Sequence, residues 1–405
     1  MNFKPKDFLK IIIVLSLIGK LLFVFIFINL NDLEYYEYGD IANNLYQGHG
    51  YSLLHEIDKD GNNLNRSVEP HISAYMPPGY VFYLYPFFAI SDTVVRNLLI
   101  IFSQILISCL LIFLVYKFTR ECFSETSALI AAAITGFLPE FVFASTHIQI
   151  TLFYHIGIVA LLLQLYKLNS HKINFNTLIV IGIIFGSLIL FRSEVLLFAT
   201  IIIIYLINKR DFKESAIIMG IIILIILPWQ VRNYVVFDKI IPITTSSGLN
   251  LYRGHNPYDI GLWGDDSLFA RIRSVRNEKD FEVKMNDIYL ESAFTSIKEN
   301  PDKEIVYPFI KLYNLWIINT SDNRTFNIIY LIPWIVFLLF SVYGLFKSGS
   351  WKVHKFSYLY FIFFSIVAII FFALPRYQTM MKIALVPFAA AGIEMLYYKV
   401  KNIIK

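Results

Sequence analysis

The sequence predicts an all-α polytopic membrane protein, a bundle of about ten transmembrane helices with its chemistry on one side. Three observations predict it. Of 405 residues, 57% are apolar and only 16% charged, and the mean hydropathy is +0.59; a soluble domain of this length exposes far more charge. The apolar residues come in blocks of about 18 or more, enough to cross ~30 Å of hydrocarbon as helix. Lysines and arginines collect at alternate ends of those blocks, the asymmetry that orients membrane helices.

Taken in order, the first block is 11–30, preceded by Lys4, Lys6 and Lys10. It resembles a signal sequence, but it is too long, carries Lys20 and has no small-x-small cleavage site, so it reads as an uncleaved helix. The stretch 79–90, "GYVFYLYPFFAI", is too short to span and contains Pro86. It reads as a helix lying in or dipping into the interface, with a short eleventh span as the alternative. Further spans are expected at 97–116, 126–144, 151–168, 176–190, 194–208, 215–231, 327–346, 356–373 and 378–397. The chain divides into an N-terminal module 1–231 that includes the outer loop 31–78, a long outer loop 232–326 with short helices, and C-terminal helices 327–405. Cys109 and Cys122 make no disulfide framework. The net charge of +5 is scattered along helix ends, which argues against a nucleic-acid partner.

With 79–90 not crossing, one set of ends carries Lys4, Lys6, Lys10, Lys117, Arg120, Lys167, Lys172, Lys209, Arg210, Lys213, Lys347, Lys352, Lys355, Lys399, Lys401 and Lys405. The positive-inside rule makes these ends and both termini cytoplasmic. The first outer loop, the connection 145–150, Arg192, the long loop and Arg376 then share the outer face, where the chemistry is expected. The Ile, Lys and Asn richness points to an AT-rich bacterial genome, hence a bacterial plasma membrane.

Two polar stretches stand out. "EYYEYGDIANNLYQGHGYS" (34–52) packs acids, tyrosines and glycines just after the first span, and "LPWQVRNYVVFDKIIPITTSSGLNLYRGHNP" (227–257) breaks a helix at Pro-Trp and places Arg232-Asn233-Tyr234 at the interface. Trp and Tyr at headgroup level are ordinary belt residues, and a helix-end Arg often only snorkels. These stretches occur in order with "MPPGYVFYLYPFFAI" (76–90), "LFRSEVLLF" (190–198), "ESAFTSIKENPDKEIVYPFIKLYNLW" (291–316) and "LPRYQTMMKIALVPFAAAGIEML" (374–396). The ordered set resembles the GT-C superfamily of membrane glycosyltransferases, relatives of protein O-mannosyltransferases and lipid A aminoarabinose transferases.

That resemblance implies transfer of a sugar from a polyprenyl-phosphate donor to a lipid, glycan or protein acceptor, usually with inversion, amid membrane lipids. A first-loop carboxylate would take the acceptor's proton. The family spacing, eight residues before Ala42, falls on Glu34 where relatives carry Asp; Asp32 and Asp40 are the alternatives, and Glu37 reads as plain solvation. Arg376, Arg192, Arg232 and Lys311 are the candidates for the donor phosphate, since Arg offers a permanent forked cation. Tyr38, Tyr377, Asn250, His147 and Gln149 are candidates for binding substrate; the last two stand in "HIQITLFY", where relatives often carry an acid. The eight histidines, His49 and His55 among them, show no metal spacing, so no metal or other cofactor is expected to be required, while a divalent ion bridging phosphate and carboxylate stays open. A transporter or flippase of lipid-linked sugars is the alternative; it would show paired repeats, broken helices and polar groups at mid-depth.

Overall fold

A computed structural model describes residues 4–54, 70–170, 174–209, 211–348 and 350–404. His55, Lys172, Arg210 and Lys405, together with residues 55–69 of the first outer loop, lie outside the described residues. The chain is a helical membrane bundle. Seven helices are long and apolar enough to span: α1 (Pro5–Phe27), α4 (Thr93–Cys122), α7 (Thr151–Ser170), α10 (Phe212–Phe237), α15 (Ile328–Ser348), α16 (Trp351–Ile370) and α17 (Pro375–Ile404). The pair α5 (Glu125–Phe137) and α6 (Pro139–Thr146), bent by 54° at Leu138, is long and apolar enough taken together, as a broken span or a re-entrant loop. Pro139 cannot donate the bond that would continue α5, and it disfavours helical backbone at Leu138. The shorter apolar helices α8 (Phe175–Phe191) and α9 (Val195–Asn208) meet at a corner, Arg192-Ser193-Glu194. All ten expected spans thus fall on helix. Segment 79–90 forms α3 (Pro78–Leu84) and a 3-10 turn at Tyr85–Ala89.

One expectation needs correction. The helix of span 215–231 does not end at Pro228-Trp229; α10 runs on to Phe237. Its last turns are held from the side, since Trp229 Nε1 donates to the Ile243 carbonyl at 2.8 Å and Asn233 Nδ2 reaches the Ile241 and Ile243 carbonyls at 3.5 Å. Those contacts outweigh the loss of one backbone donor at Pro228.

At the centre stands α17, with every side chain from Met380 to Gly392 buried. It packs most closely on α15. A β-carbon on Gly344 would lie 1.9 Å from the Phe388 carbonyl oxygen, and one on Gly392 would lie 2.3 Å from that of Phe340. Glycines let two helix backbones approach in a medium that provides little hydrophobic drive between helices. Lys20, the charge inside α1, is buried and donates to Ser108 Oγ at 2.8 Å.

The two long polar loops form one layer. After α1 comes α2 (Tyr36–Tyr46), then a short antiparallel hairpin of β1 (Ser52–Leu53) and β2 (His71–Ile72). The long loop supplies α11 (Ser247–Gly254), α12 (Asp266–Ser274), α13 (Phe281–Glu299) and α14 (Pro301–Trp316). The two are joined where Thr245 N donates to Ala74 O at 3.0 Å and where the buried Glu282 carboxylate accepts from Ala74 N at 2.6 Å and from the Thr245 hydroxyl.

Candidate active site

The stretch leading into α2 is anchored before it presents its acids. Tyr35 bonds the Asn97 side-chain oxygen and accepts from Arg96 Nε at 3.1 Å, and Asn97 Nδ2 reaches back to the Leu30 carbonyl at 2.7 Å. Tyr36 has φ 53°, a left-handed backbone that side chains with a β-carbon rarely adopt and that persists where surroundings enforce it. Tyr38 sits edge-on to the buried Tyr80, ring centres 5.4 Å apart.

Two of the expected phosphate-binding arginines meet this segment. Arg192, at the α8–α9 corner, donates from Nε to Glu194 at 2.6 Å and lies 5.1 Å from the centre of the Tyr377 ring. Burial alone would lower its pKa, but Glu194, Tyr377 and Tyr38 more than reverse that and hold it charged. Arg376, exposed in the first turn of α17, lies 5.7 Å from the same ring. Burial raises the Tyr38 hydroxyl pKa, while Arg192 and Arg376 both pull it down. The structure therefore brings Tyr38, Arg192, Arg376 and Tyr377 together from three separate parts of the chain.

The acids divide. Glu34 is exposed and lies against Tyr36, whose pKa is raised by burial and then by Glu34, with Arg376 and Arg324 opposing. Arg324 is itself forked onto Asp322, Nη2 to Oδ2 at 2.7 Å. Glu37, expected only to be solvated, is half-buried and acts on both Tyr38 and Tyr75. Asp32 and Asp40 are exposed.

Arg253, on α11, is a residue that sequence reasoning missed. Its guanidinium lies 4.2 Å from the centre of the Trp263 ring and 4.6 Å from that of Phe372, and its Nε donates to Gly261 O at 2.9 Å. Among the described residues its two terminal nitrogens have no hydrogen bond and no carboxylate pairs with it. Burial lowers its pKa, as does Arg376, while Tyr75 and Tyr377 raise it. Tyr377 thus lies against the guanidiniums of Arg192 and Arg376 and within electrostatic reach of Arg253, and of the three only Arg192 has a carboxylate partner among the described residues. The signal was its neighbour Gly254, where a β-carbon would lie 2.0 Å from the Phe371 carbonyl oxygen: α11 presses against the turn that leads into α17.

The remaining candidates are engaged elsewhere. Arg232 donates to the carbonyls of Ser73 at 2.6 Å and Tyr51 at 3.1 Å and lies over Tyr51 and Trp229, pinning the hairpin to α10. Lys311 is fully buried and donates to the Ile369 carbonyl at 2.8 Å, at the end of α16, where freed carbonyls attract cations. His147 is stacked on Phe143 at 3.7 Å with its pKa lowered by burial, and its carbonyl accepts from Gln104 at 2.8 Å. Gln149 accepts from Thr151 at 3.3 Å, and Asn250 donates to the Ser246 carbonyl at 2.9 Å. Among the described residues no three His, Cys, Asp or Glu side chains group as metal ligands.

This arrangement defines a class: a multi-pass membrane protein of the GT-C type of fold, with a cluster of cations at the head of its central helix. Within it, residues 76–231 match the family described as dolichyl-phosphate-mannose-protein mannosyltransferase. The archaeal oligosaccharyltransferase AglB from Archaeoglobus fulgidus, in complex with an inhibitory peptide and a dolichol-phosphate, superposes with a TM-score of 0.56 at 15% identity, covering 98% of this chain and 52% of that one. The Archaeoglobus fulgidus oligosaccharyltransferase tethered to an acceptor peptide gives 0.57 at 15% identity, over 96% and 50%. ArnT from Cupriavidus metallidurans, bound to undecaprenyl phosphate, gives 0.42 at 11% identity, over 94% and 77%, a likeness too loose to weigh. The chain spans about half the length of the oligosaccharyltransferases it matches. No curated protein matches its sequence.

Proposed function

We propose that the protein is a glycosyltransferase that moves a sugar from a polyprenyl-phosphate donor to a hydroxyl acceptor at the outer face of a bacterial plasma membrane, with inversion. The observation that carries this reading is the set of guanidiniums around Tyr377, facing the acid-bearing start of α2. The match of 76–231 to a family named for a lipid-phosphate sugar donor supports it. In the reaction the acceptor oxygen forms a bond to the anomeric carbon and gives its proton to a carboxylate. The bond from that carbon to phosphate breaks, and its electron pair stays on the phosphate oxygen. The phosphate gains one negative charge in the step. Arg253 and Arg376, which no carboxylate neutralises among the described residues, are suited to that growing charge.

Glu34 is the proposed base. Glu37 is the second reading, favoured by its half-buried place beside Tyr38. The test uses purified protein and a synthetic polyprenyl-phosphate sugar. Glu34→Gln keeps size but loses basicity, and the expected loss in rate is ~10²–10⁴ with donor binding retained. Loss in Glu37→Gln, Asp32→Asn or Asp40→Asn instead moves the base to that residue. Normal transfer by all four variants overturns the mechanism. Donor cleavage also separates an enzyme from a transporter, and chelator treatment shows whether a divalent ion takes part. Reporters after Lys213 and near Asp265 should read opposite sides of the membrane, cytoplasmic and outer; a shared side overturns the topology.

A further inference from the structure

The opposite end of the bundle holds a cleft of about 410 Å³ that the proposed transfer does not use. It opens where α7 and α9 end and α10 and α16 begin, and its volume lies within the ~300–1,000 Å³ of small-molecule sites. From the Arg192 corner, α9 runs ~21 Å before reaching it, at 1.5 Å per residue. Its walls are Leu168, Leu206 and Phe356, with Tyr205 between them.

The charges around Tyr205 have an unusual arrangement. Lys355 Nζ lies 5.1 Å from the centre of the ring and Lys209 Nζ lies 6.0 Å from it, so two ammonium groups share one aromatic platform. Asp211 and Glu214 complete the rim. Among the described residues none of these four side chains has an ion-pair partner, although both signs line the same opening. Two cations and two anions held apart across an open cleft are complementary to a ligand that carries both signs itself. Two ammonium groups suit a phosphate, and the carboxylates suit a primary ammonium that can donate hydrogen bonds.

We infer that this cleft binds the phosphoethanolamine headgroup of a phospholipid in the adjacent leaflet. Its phosphate lies between Lys209 and Lys355, and its ammonium lies on Asp211 and Glu214. An anionic glycerol headgroup lacks the ammonium, and a choline headgroup has an ammonium without N–H donors, so neither satisfies both halves of the rim.

The test is native mass spectrometry of the full chain in detergent, offered equal amounts of dioleoyl phosphatidylethanolamine, phosphatidylcholine and phosphatidylglycerol. One phosphatidylethanolamine should be retained in clear preference to the others. The Lys209→Gln/Lys355→Gln double variant should lose that retention by roughly tenfold or more, as expected for removal of charge-assisted contacts. Asp211→Asn/Glu214→Gln should switch the preference to phosphatidylglycerol, a gain that a misfolded variant does not produce. Equal retention of the three lipids by the unaltered protein overturns the assignment. So does preference for phosphatidylglycerol by the unaltered protein, which makes the cleft an ordinary basic rim. A carboxamide variant that keeps its phosphatidylethanolamine preference also overturns it.

Discussion

Arg376 and Arg253 on one side, Arg232 and Lys311 on the other, look alike in sequence: single cations beside aromatic residues in outer segments. In the folded chain they do different work. Arg376 lies beside Tyr377 and Arg253 acts on it electrostatically, both with no carboxylate and with their terminal nitrogens uncommitted among the described residues. Arg232 and Lys311 are bound to main-chain carbonyls, one closing the first-loop hairpin, the other closing the end of α16. A guanidinium or ammonium spent on main-chain carbonyls fastens the fold, whereas one that keeps its terminal nitrogens free is open to a ligand, as proposed for Arg376 and for the outer end of Arg253. The contrast predicts that removing the first kind harms the fold and removing the second kind harms the reaction.

The largest effect is expected from the second kind. Arg376→Ala and Arg253→Ala should each lower transfer ten- to a hundredfold, the ~1.5–3 kcal/mol of a charged hydrogen bond, with the melting temperature unchanged for Arg376→Ala and somewhat lowered for Arg253→Ala, which also loses its bond to the Gly261 carbonyl. Arg376→Lys should recover only part, because Lys lacks the fork. Normal transfer by both Ala variants erases the distinction from this side. Next comes Arg232→Ala, which leaves the Ser73 and Tyr51 carbonyls without their guanidinium. It should destabilise by ~2 kcal/mol, read as a lower melting temperature, while the protein that stays folded keeps its donor affinity. A loss of donor affinity at unchanged stability would move Arg232 to the second kind.

The smallest effect is a slope. Burial holds the Lys311 pKa down at about 8, against an ordinary 10.5. The unfolded chain then binds that proton more tightly than the folded one, so this group makes stability rise as pH goes from about 8 towards 10.5. Thermal inactivation of the protein and of Lys311→Met, compared across that window, should show the rise only where the lysine is present. Parallel profiles would mean that Lys311 is not held as the fold places it.

Much of the fold was legible because hydrocarbon leaves the backbone few options. A block such as 97–116 must satisfy its own peptide groups, and the helix does so. The extension of α10 past Pro228 was not legible, since it depends on the Ile243 carbonyl arriving beside Trp229 from a later segment. At the site, the order of motifs pointed to Tyr38, Arg192, Arg376 and Tyr377, which do come together. The engagement of Arg232 and Lys311 left no trace, because their partners are carbonyls, which every residue carries whatever its side chain. Arg253 was hidden for a related reason. Its platform is assembled from Trp263 and Phe372, ten residues away in one case and more than a hundred in the other.

The helix buried on all sides, α17, follows every other described helix in the chain. A ribosome therefore delivers α17 after every other described helix. Until then α15 faces an empty groove at Gly344, and the cationic cluster lacks Arg376 and Tyr377. Chains complete as units from the N-terminal side during synthesis, so here assembly of the core and arming of the site become one event. A nascent chain interrupted before residue 375 would carry most of its membrane helices and lack Arg376 and Tyr377.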